Sequence, residues 1–139
     1  RRDMLISSLR QTMVRHADSS LCTLIDAMLD ECVQTALQQP KEWAALLVIE
    51  RQVDDLQGFQ VFHLGIQQTW ADAFRSHCPS AHSLKITAMS AMVHAITYGW
   101  CVQEILVFRG DRTRQASRHE LGLAVHGYLN VMLDMPPSA

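Results

Sequence analysis

Apolar side chains recur every three or four positions along most of this sequence, the spacing that places them on one face of an α-helix. Six stretches follow this pattern, separated by turn-forming or proline-containing segments. We therefore expect an all-α fold, a bundle of six helices. The helices are expected at about 3–16, 21–39, 40–57, 59–77, 80–108 and 117–135.

Local signals mark where these helices begin and end. Asp18-Ser19-Ser20 supplies an N-cap for the second helix, and Pro40 suits the first turn of the third. Gly58 is expected to end the third helix, and Cys78-Pro79-Ser80 separates the fourth from a long fifth. Ser117-Arg118-His119-Glu120 has the form of a capping box and is expected to open the last helix.

Composition limits the chain to one domain and favours an interface. The 139 residues suffice for one hydrophobic core. Charged residues make up 19% of them, below the roughly 25% of an average soluble domain, which indicates additional buried surface. The net charge of −2 argues against binding nucleic acid through a basic field. We interpret the one basic cluster as a solvated loop; it comprises Arg109, Arg112, Arg114 and Arg118.

The cysteines and the fifth helix bear on cellular location. The four cysteines lie far apart and form no C-x-x-C pair, so we expect a reduced, cytoplasmic protein. Residues 86–102 carry no charge, which reaches the lower limit of a membrane span. Ser90, His94 and Thr97 interrupt that stretch, however. We favour a helix buried between its own core and a partner subunit over one that spans a membrane.

Motifs for catalysis are missing from the sequence. It has no phosphate-binding glycine loop, no G-x-S-x-G and no H-E-x-x-H. His77, Cys78 and His82 are close in sequence, but their spacing fits no known ligand pattern. We therefore expect no enzyme activity, no cofactor and no metal.

The sequence leaves two questions about the interior undecided: the partner of Glu50, and whether the aromatic and methionine stripes enclose a cavity. Glu50 shares the apolar stripe of Trp43 and Leu47, so its carboxylate either meets a polar partner such as His63 or extends to water. The aromatic and methionine side chains of these stripes form either a plain core or the wall of a ligand cavity.

The long helix carries Ala91-Met92-Val93-His94-Ala95-Ile96-Thr97-Tyr98-Gly99-Trp100, and Ser117-Arg118-His119-Glu120-Leu121 follows after a polar loop. This pattern resembles the C-terminal regulatory domain of TetR-family transcriptional repressors. The run from Pro40 to His77, with Trp43 and a Gln-Thr-Trp-Ala-Asp-Ala-Phe segment, is similar to the same family.

The resemblance implies that residues 1–139 are an effector-binding and dimerisation domain of a transcription regulator. Its last two helices would form a four-helix bundle with those of a second copy. DNA would be bound only through an N-terminal helix-turn-helix domain absent from this chain, and no membrane is involved. The residues expected to bind a small hydrophobic effector are Trp43, Leu47, Glu50, Phe62, His63, Ile66, Trp70 and Met89. Those expected at the homodimer interface are Met92, Ala95, Gly99, Val102, Tyr128 and Met132.

A second resemblance supplies an alternative function. Ala81-His82-Ser83-Leu84-Lys85 is similar to the phosphoacceptor motif of histidine phosphotransfer domains, in which the histidine takes up phosphate. The residue that follows is usually glycine in that family, whereas here it is Ile86. A phosphotransfer domain that uses His82, or a plain helical protein-interaction module, is therefore the alternative to the regulator.

Overall fold

The computed structural model describes residues 2–52, 56–108 and 114–134. Within these ranges it contains six α-helices and no β-strand, which confirms the expected all-α fold. The last turns of the fifth helix widen into a π-helix at Gln103–Phe108. The helices are α1 (Arg2–Arg15), α2 (Leu21–Gln38), α3 (Pro40–Gln52), α4 (Leu56–His77), α5 (Ser83–Val102) and α6 (Arg114–Met132).

Two of the expected helix starts agree with the structure, and one boundary is wrong. Ser20 caps α2, since its hydroxyl accepts a hydrogen bond from the Thr23 N–H at 3.2 Å. Pro40 begins α3, where its missing N–H has no helical partner to lose. Gly58 does not end the third helix: α3 ends at Gln52, and Gly58 lies in the first turn of α4. Glycine is destabilising mainly in the middle of a helix, so it is compatible with this first-turn position.

The start of α6 also differs from the expectation. Ser117 lies within α6, which begins three residues earlier at Arg114, so the capping-box prediction is wrong. The Ser117 hydroxyl instead donates a hydrogen bond to Glu104 Oε1 at 2.7 Å and accepts one from Trp100 Nε1 at 3.1 Å. The Ser117 hydroxyl, which the local motif predicted to cap a helix, thus makes a tertiary contact instead. Residues 109–113 and 135–139, which include Pro136 and Pro137, lie outside the described residues.

One large hydrophobic core holds five of the helices together. α1, α2, α4, α5 and α6 all contribute to it, with Trp70 and Phe74 fully buried at its centre. Burying such a side chain stabilises a fold by roughly 1.5–3 kcal/mol. A separate small cluster of Ala36, Leu47 and Ile105 joins α3 to α2 and to the π-helical end of α5. α3 is therefore attached beside the core rather than within it.

No helix among the described residues is long and apolar enough to cross a membrane. In α5, Ser90 and Thr97 each return their hydroxyl to the carbonyl one turn earlier, at 2.7 and 2.8 Å. These bonds satisfy polar groups that the helix buries against the protein core.

Candidate functional site

An apolar cavity of about 60 Å³ lies where α3 covers the main core. Most of its wall comes from α2, α3, α4 and α5, with Leu5 of α1 at one side. The lining residues are Leu5, Cys32, Thr35, Ala36, Trp43, Leu47, Phe62, Ile66, Trp70, His94, Thr97, Tyr98, Cys101, Val102 and Ile105. Aromatic walls with a few polar groups are typical of small-molecule sites.

The structure brings together most of the residues expected to bind an effector. The five that line the cavity are Trp43, Leu47, Phe62, Ile66 and Trp70. They come from the consecutive helices α3 and α4, and the helical spacing on each helix places them on the same side.

Three other expected residues lie elsewhere or cannot be assigned. Met89 is fully buried in the main core and is not part of the cavity lining. His63 is buried and reaches the cavity only through its contact with His94, which does line it. The side chain of Glu50 lies outside the described residues, so its partner stays a prediction.

The His63–His94 pair is the principal polar feature beside the cavity. Nδ1 of His63 and Nε2 of His94 lie 2.7 Å apart, so one ring donates a hydrogen bond to the other. The Phe59 and Tyr98 rings pack against His63 with centroid distances of 4.2 and 4.7 Å. Burial lowers the pKa of His94 from 6.5 to about 4, and the nearby His63 adds to that shift. The His94 ring is therefore uncharged near neutral pH, which suits a largely apolar site.

Sequence reasoning missed the contribution of α5 to this site. His94, Tyr98, Cys101 and Ile105 all line the cavity, and their spacing of four, three and four residues is that of one helix face. From this helix, Met89 was expected at the effector site, whereas Met92, Ala95, Gly99 and Val102 were expected to face a second copy. The spacing was present as a signal, but α5 is apolar around most of its circumference, so periodicity does not separate its faces.

One buried donor in the cavity wall is unused. The indole of Trp70 is fully buried, and its Nε1 has no hydrogen-bond partner among the described residues. Native proteins pair the large majority of such buried groups, so an exception calls for an explanation. A bound molecule with a hydrogen-bond acceptor would satisfy this N–H.

An open groove lies on the outer side of the same wall. It has a volume of about 700 Å³ and lies between α1, α3 and α4. Trp43 and Phe62 line both the groove and the cavity, so these two side chains separate the two spaces. The Trp43 indole is held in place because its Nε1 donates to the Thr35 carbonyl oxygen of α2 at 3.0 Å.

The residues expected at a dimer interface divide into two groups. Met92, Ala95 and Gly99 lie on the outer face of α5, where Met92 is 46% exposed and a Cβ added at Gly99 would touch nothing within 4 Å. Val102 turns inward and lines the cavity. Tyr128 and Met132 of α6 are half-buried against the main core. Large exposed apolar residues on α6 are instead Leu123 and Val131.

The remaining candidates take structural positions. His82 caps α5, because its Nδ1 accepts a hydrogen bond from the Leu84 N–H at 3.1 Å. Arg118 belongs to α6 and pairs with Asp30 at 2.8 Å and Asp26 at 3.4 Å, so it is not part of a loop. Arg114 also lies in α6, whereas Arg109 and Arg112 are outside the described residues.

No protein-family model, no curated protein and no solved structure matches this chain.

Proposed function

We propose that this domain is the effector-binding and dimerisation domain of a TetR-like transcription regulator. The observation that supports this most directly is the aromatic cavity between α3 and the core, which contains five of the residues expected to bind an effector. The Trp70 N–H and the His63–His94 pair add a small number of polar groups to apolar walls. The ligand class that suits them is a mostly apolar molecule with at least one hydrogen-bond acceptor.

The size of the cavity gives effector binding a physical route to regulation. At about 60 Å³ it is far smaller than the roughly 300–1,000 Å³ of a typical ligand site. A ligand of ordinary size must therefore displace α3 or the Trp43–Phe62 wall toward the groove outside. Such a ligand favours an expanded packing over the closed one, and it shifts the populations of the two. A second domain attached to the bundle would respond to that shift.

The outer faces of α5 and α6 support the homodimer part of the proposal. Ala88, Met92, Ala95 and Gly99 follow one another at helical spacing on α5, and all four are exposed. On α6, exposed apolar residues recur in the same way at Leu123, Ala124, Gly127 and Val131. Small residues allow two helices to approach closely, and exposed apolar surface marks interaction sites.

Native mass spectrometry of the purified chain is the first experiment, because it reports subunit number and retained small molecules together. A dimer that carries additional ligand mass is the expected result. A monomer at micromolar concentration would contradict the dimerisation part of the proposal. Phosphate transfer from a phosphorylated receiver domain would then be measured, with His82→Gln as the variant that abolishes it if the phosphotransfer alternative holds.

A matched pair of phenylalanine substitutions tests the cavity. Phe62 lines it, whereas Phe74 is fully buried in the core and does not. With the fluorescent apolar probe anilinonaphthalene sulfonate, Phe62→Leu is expected to change the probe affinity several-fold. Phe74→Leu should lower the stability but leave the affinity unchanged. Equal effects of the two substitutions on probe binding would count against a separate ligand site.

A glycine substitution tests the interface independently of the cavity. Gly99→Leu adds a bulky side chain on the outer face of α5, where it meets no atom of its own chain. The domain should fold normally. In analytical ultracentrifugation its dimer should dissociate at a higher protein concentration than the dimer of the native protein. Gln11→Leu, at an exposed position of α1, is the control for an added leucine. An unchanged dimer in the Gly99 variant would remove this face from the interface.

A further inference from the structure

Three side chains with metal-binding atoms meet on the surface between α2 and α6. Cys22 and Asp26 lie one turn apart on α2, and His126 faces them from α6. With one ligand atom taken from each residue, the three atoms all lie within 4.8 Å of one another. The fold thus joins residues that are about a hundred positions apart in sequence.

The individual distances are close to those of a metal site. His126 Nε2 lies 2.8 Å from Asp26 Oδ1, and the other ring nitrogen, Nδ1, lies 4.0 Å from Cys22 Sγ. Only one of the two nitrogens binds a given metal ion, and with one atom from each residue the three ligand atoms lie within 4.8 Å of one another. In a tetrahedral zinc site, ligand atoms at bond lengths of about 2.0–2.3 Å are separated by roughly 3.3–3.6 Å. Rotation of exposed side chains supplies the difference, since Cys22 is exposed and Asp26 and His126 are half-exposed.

From this cluster we infer that Cys22, Asp26 and His126 form a zinc-binding site that fastens the start of α2 to α6. A sulfur, an imidazole nitrogen and a carboxylate oxygen are the donor set that Zn²⁺ accepts, whereas Mg²⁺ and Ca²⁺ require oxygen donors. The site supplies three ligands, so water completes the fourth position. On binding, the Cys22 thiol releases its proton to solvent, and the His126 ring coordinates as the neutral imidazole.

Arg118 lies beside the cluster and shares the Asp26 carboxylate with His126. Arg118 donates to Asp30 Oδ1 at 2.8 Å and to the Asp26 carbonyl at 3.2 Å, and it lies 3.4 Å from Asp26 Oδ1. Asp30 is the closer partner of the guanidinium, so it balances most of the charge of the arginine. A thiolate and a carboxylate then neutralise the two charges of the zinc ion. The site does not depend on the effector cavity, which involves other residues.

Direct metal titration tests the inference. Reduced protein is titrated with zinc chloride in a calorimeter and, separately, with Co²⁺ as a spectroscopic substitute. One ion per chain, a dissociation constant in the micromolar range or tighter, and a cobalt–thiolate charge-transfer band are the expected results. Cys22→Ser, Asp26→Asn and His126→Gln should each weaken binding at least about tenfold. All three side chains are at least partly exposed, so these variants keep the core intact.

Matched controls locate the site. Cys78→Ser and His82→Gln change a cysteine and a histidine outside the cluster and should leave binding unchanged. Zinc should also slow alkylation of Cys22 by iodoacetamide, because the bound metal occupies the Cys22 sulfur. The reaction reports on Cys22, since this cysteine is exposed and the other three are buried or half-buried. Binding weaker than millimolar would overturn the inference. Full affinity in any of the three cluster variants, or an alkylation rate that zinc does not change, would do the same.

Discussion

The buried imidazole of His94 should make the stability of this fold depend on pH between about 6.5 and 4. Burial, together with His63, lowers the pKa of His94 from 6.5 to about 4 in the folded chain. In the unfolded chain the ring is hydrated and its pKa returns to the ordinary value. Between these two pH values, only the unfolded chain binds the proton. The part of the free energy of unfolding that depends on His94 is therefore fully present above pH 6.5 and is lost as the pH falls to about 4.

The magnitude follows from the width of that interval. Each pH unit over which only the unfolded chain holds the proton lowers the free energy of unfolding by about 1.4 kcal/mol. The total loss therefore amounts to about 3 kcal/mol at pH 4. This is a large part of the roughly 5–15 kcal/mol by which domains of this kind are stable. Below pH 4 the group contributes no further loss, because both states are then protonated at His94.

Urea unfolding followed by circular dichroism measures this free energy at pH steps from 7 to 4. The matched variant is His94→Gln, whose amide keeps a hydrogen bond with His63 but takes up no proton. The free energy of unfolding of the native protein should fall by about 3 kcal/mol more than that of the variant over this interval. All other titrating groups are common to the two proteins. Parallel curves would refute the reasoning, as would a His94 proton resonance that titrates near pH 6.5.

Three other substitutions test the packing. Ser20→Ala removes the cap of α2 and should lower the free energy of unfolding in urea by about 1 kcal/mol; an unchanged value would show that the cap is dispensable. Ile25→Ala empties a fully buried site and should cost about 2–5 kcal/mol, so a loss below 1 kcal/mol would contradict its place in the core. Asp72→Asn breaks an exposed pair with Arg10 and should cost less than about 1 kcal/mol in thermal unfolding; a larger loss would require a buried role.

The spacing of apolar residues was sufficient to predict the helices and part of the cavity. Phe62, Ile66 and Trp70 share a face of α4, and that face is buried as their spacing indicates. Periodicity works here because a helix with one apolar face has a single way to pack against a core. α5 lacks that contrast, so the inward position of Tyr98 could not be distinguished from an outward one.

Other features depend on contacts between distant residues. The S-x-x-E pattern at Ser117 is local, but the hydroxyl is bound by Glu104, thirteen residues earlier, and a local pattern contains no information about that partner. The cluster of Cys22, Asp26 and His126 requires α2 and α6 to lie side by side. No spacing in the sequence reports that arrangement, since it follows from how the whole bundle packs.

The attachment of α3 has a consequence for kinetics. Leu47 is the one buried side chain among those of α3 that the structure describes, and its cluster with Ala36 and Ile105 is separate from the main core. α3 should therefore open without global unfolding, and its amide hydrogens should exchange faster than those of α5. Because α3 also covers the cavity, we expect ligands to enter when this helix opens. The observed rate of ligand uptake should then level off at high ligand concentration, at the opening rate of α3.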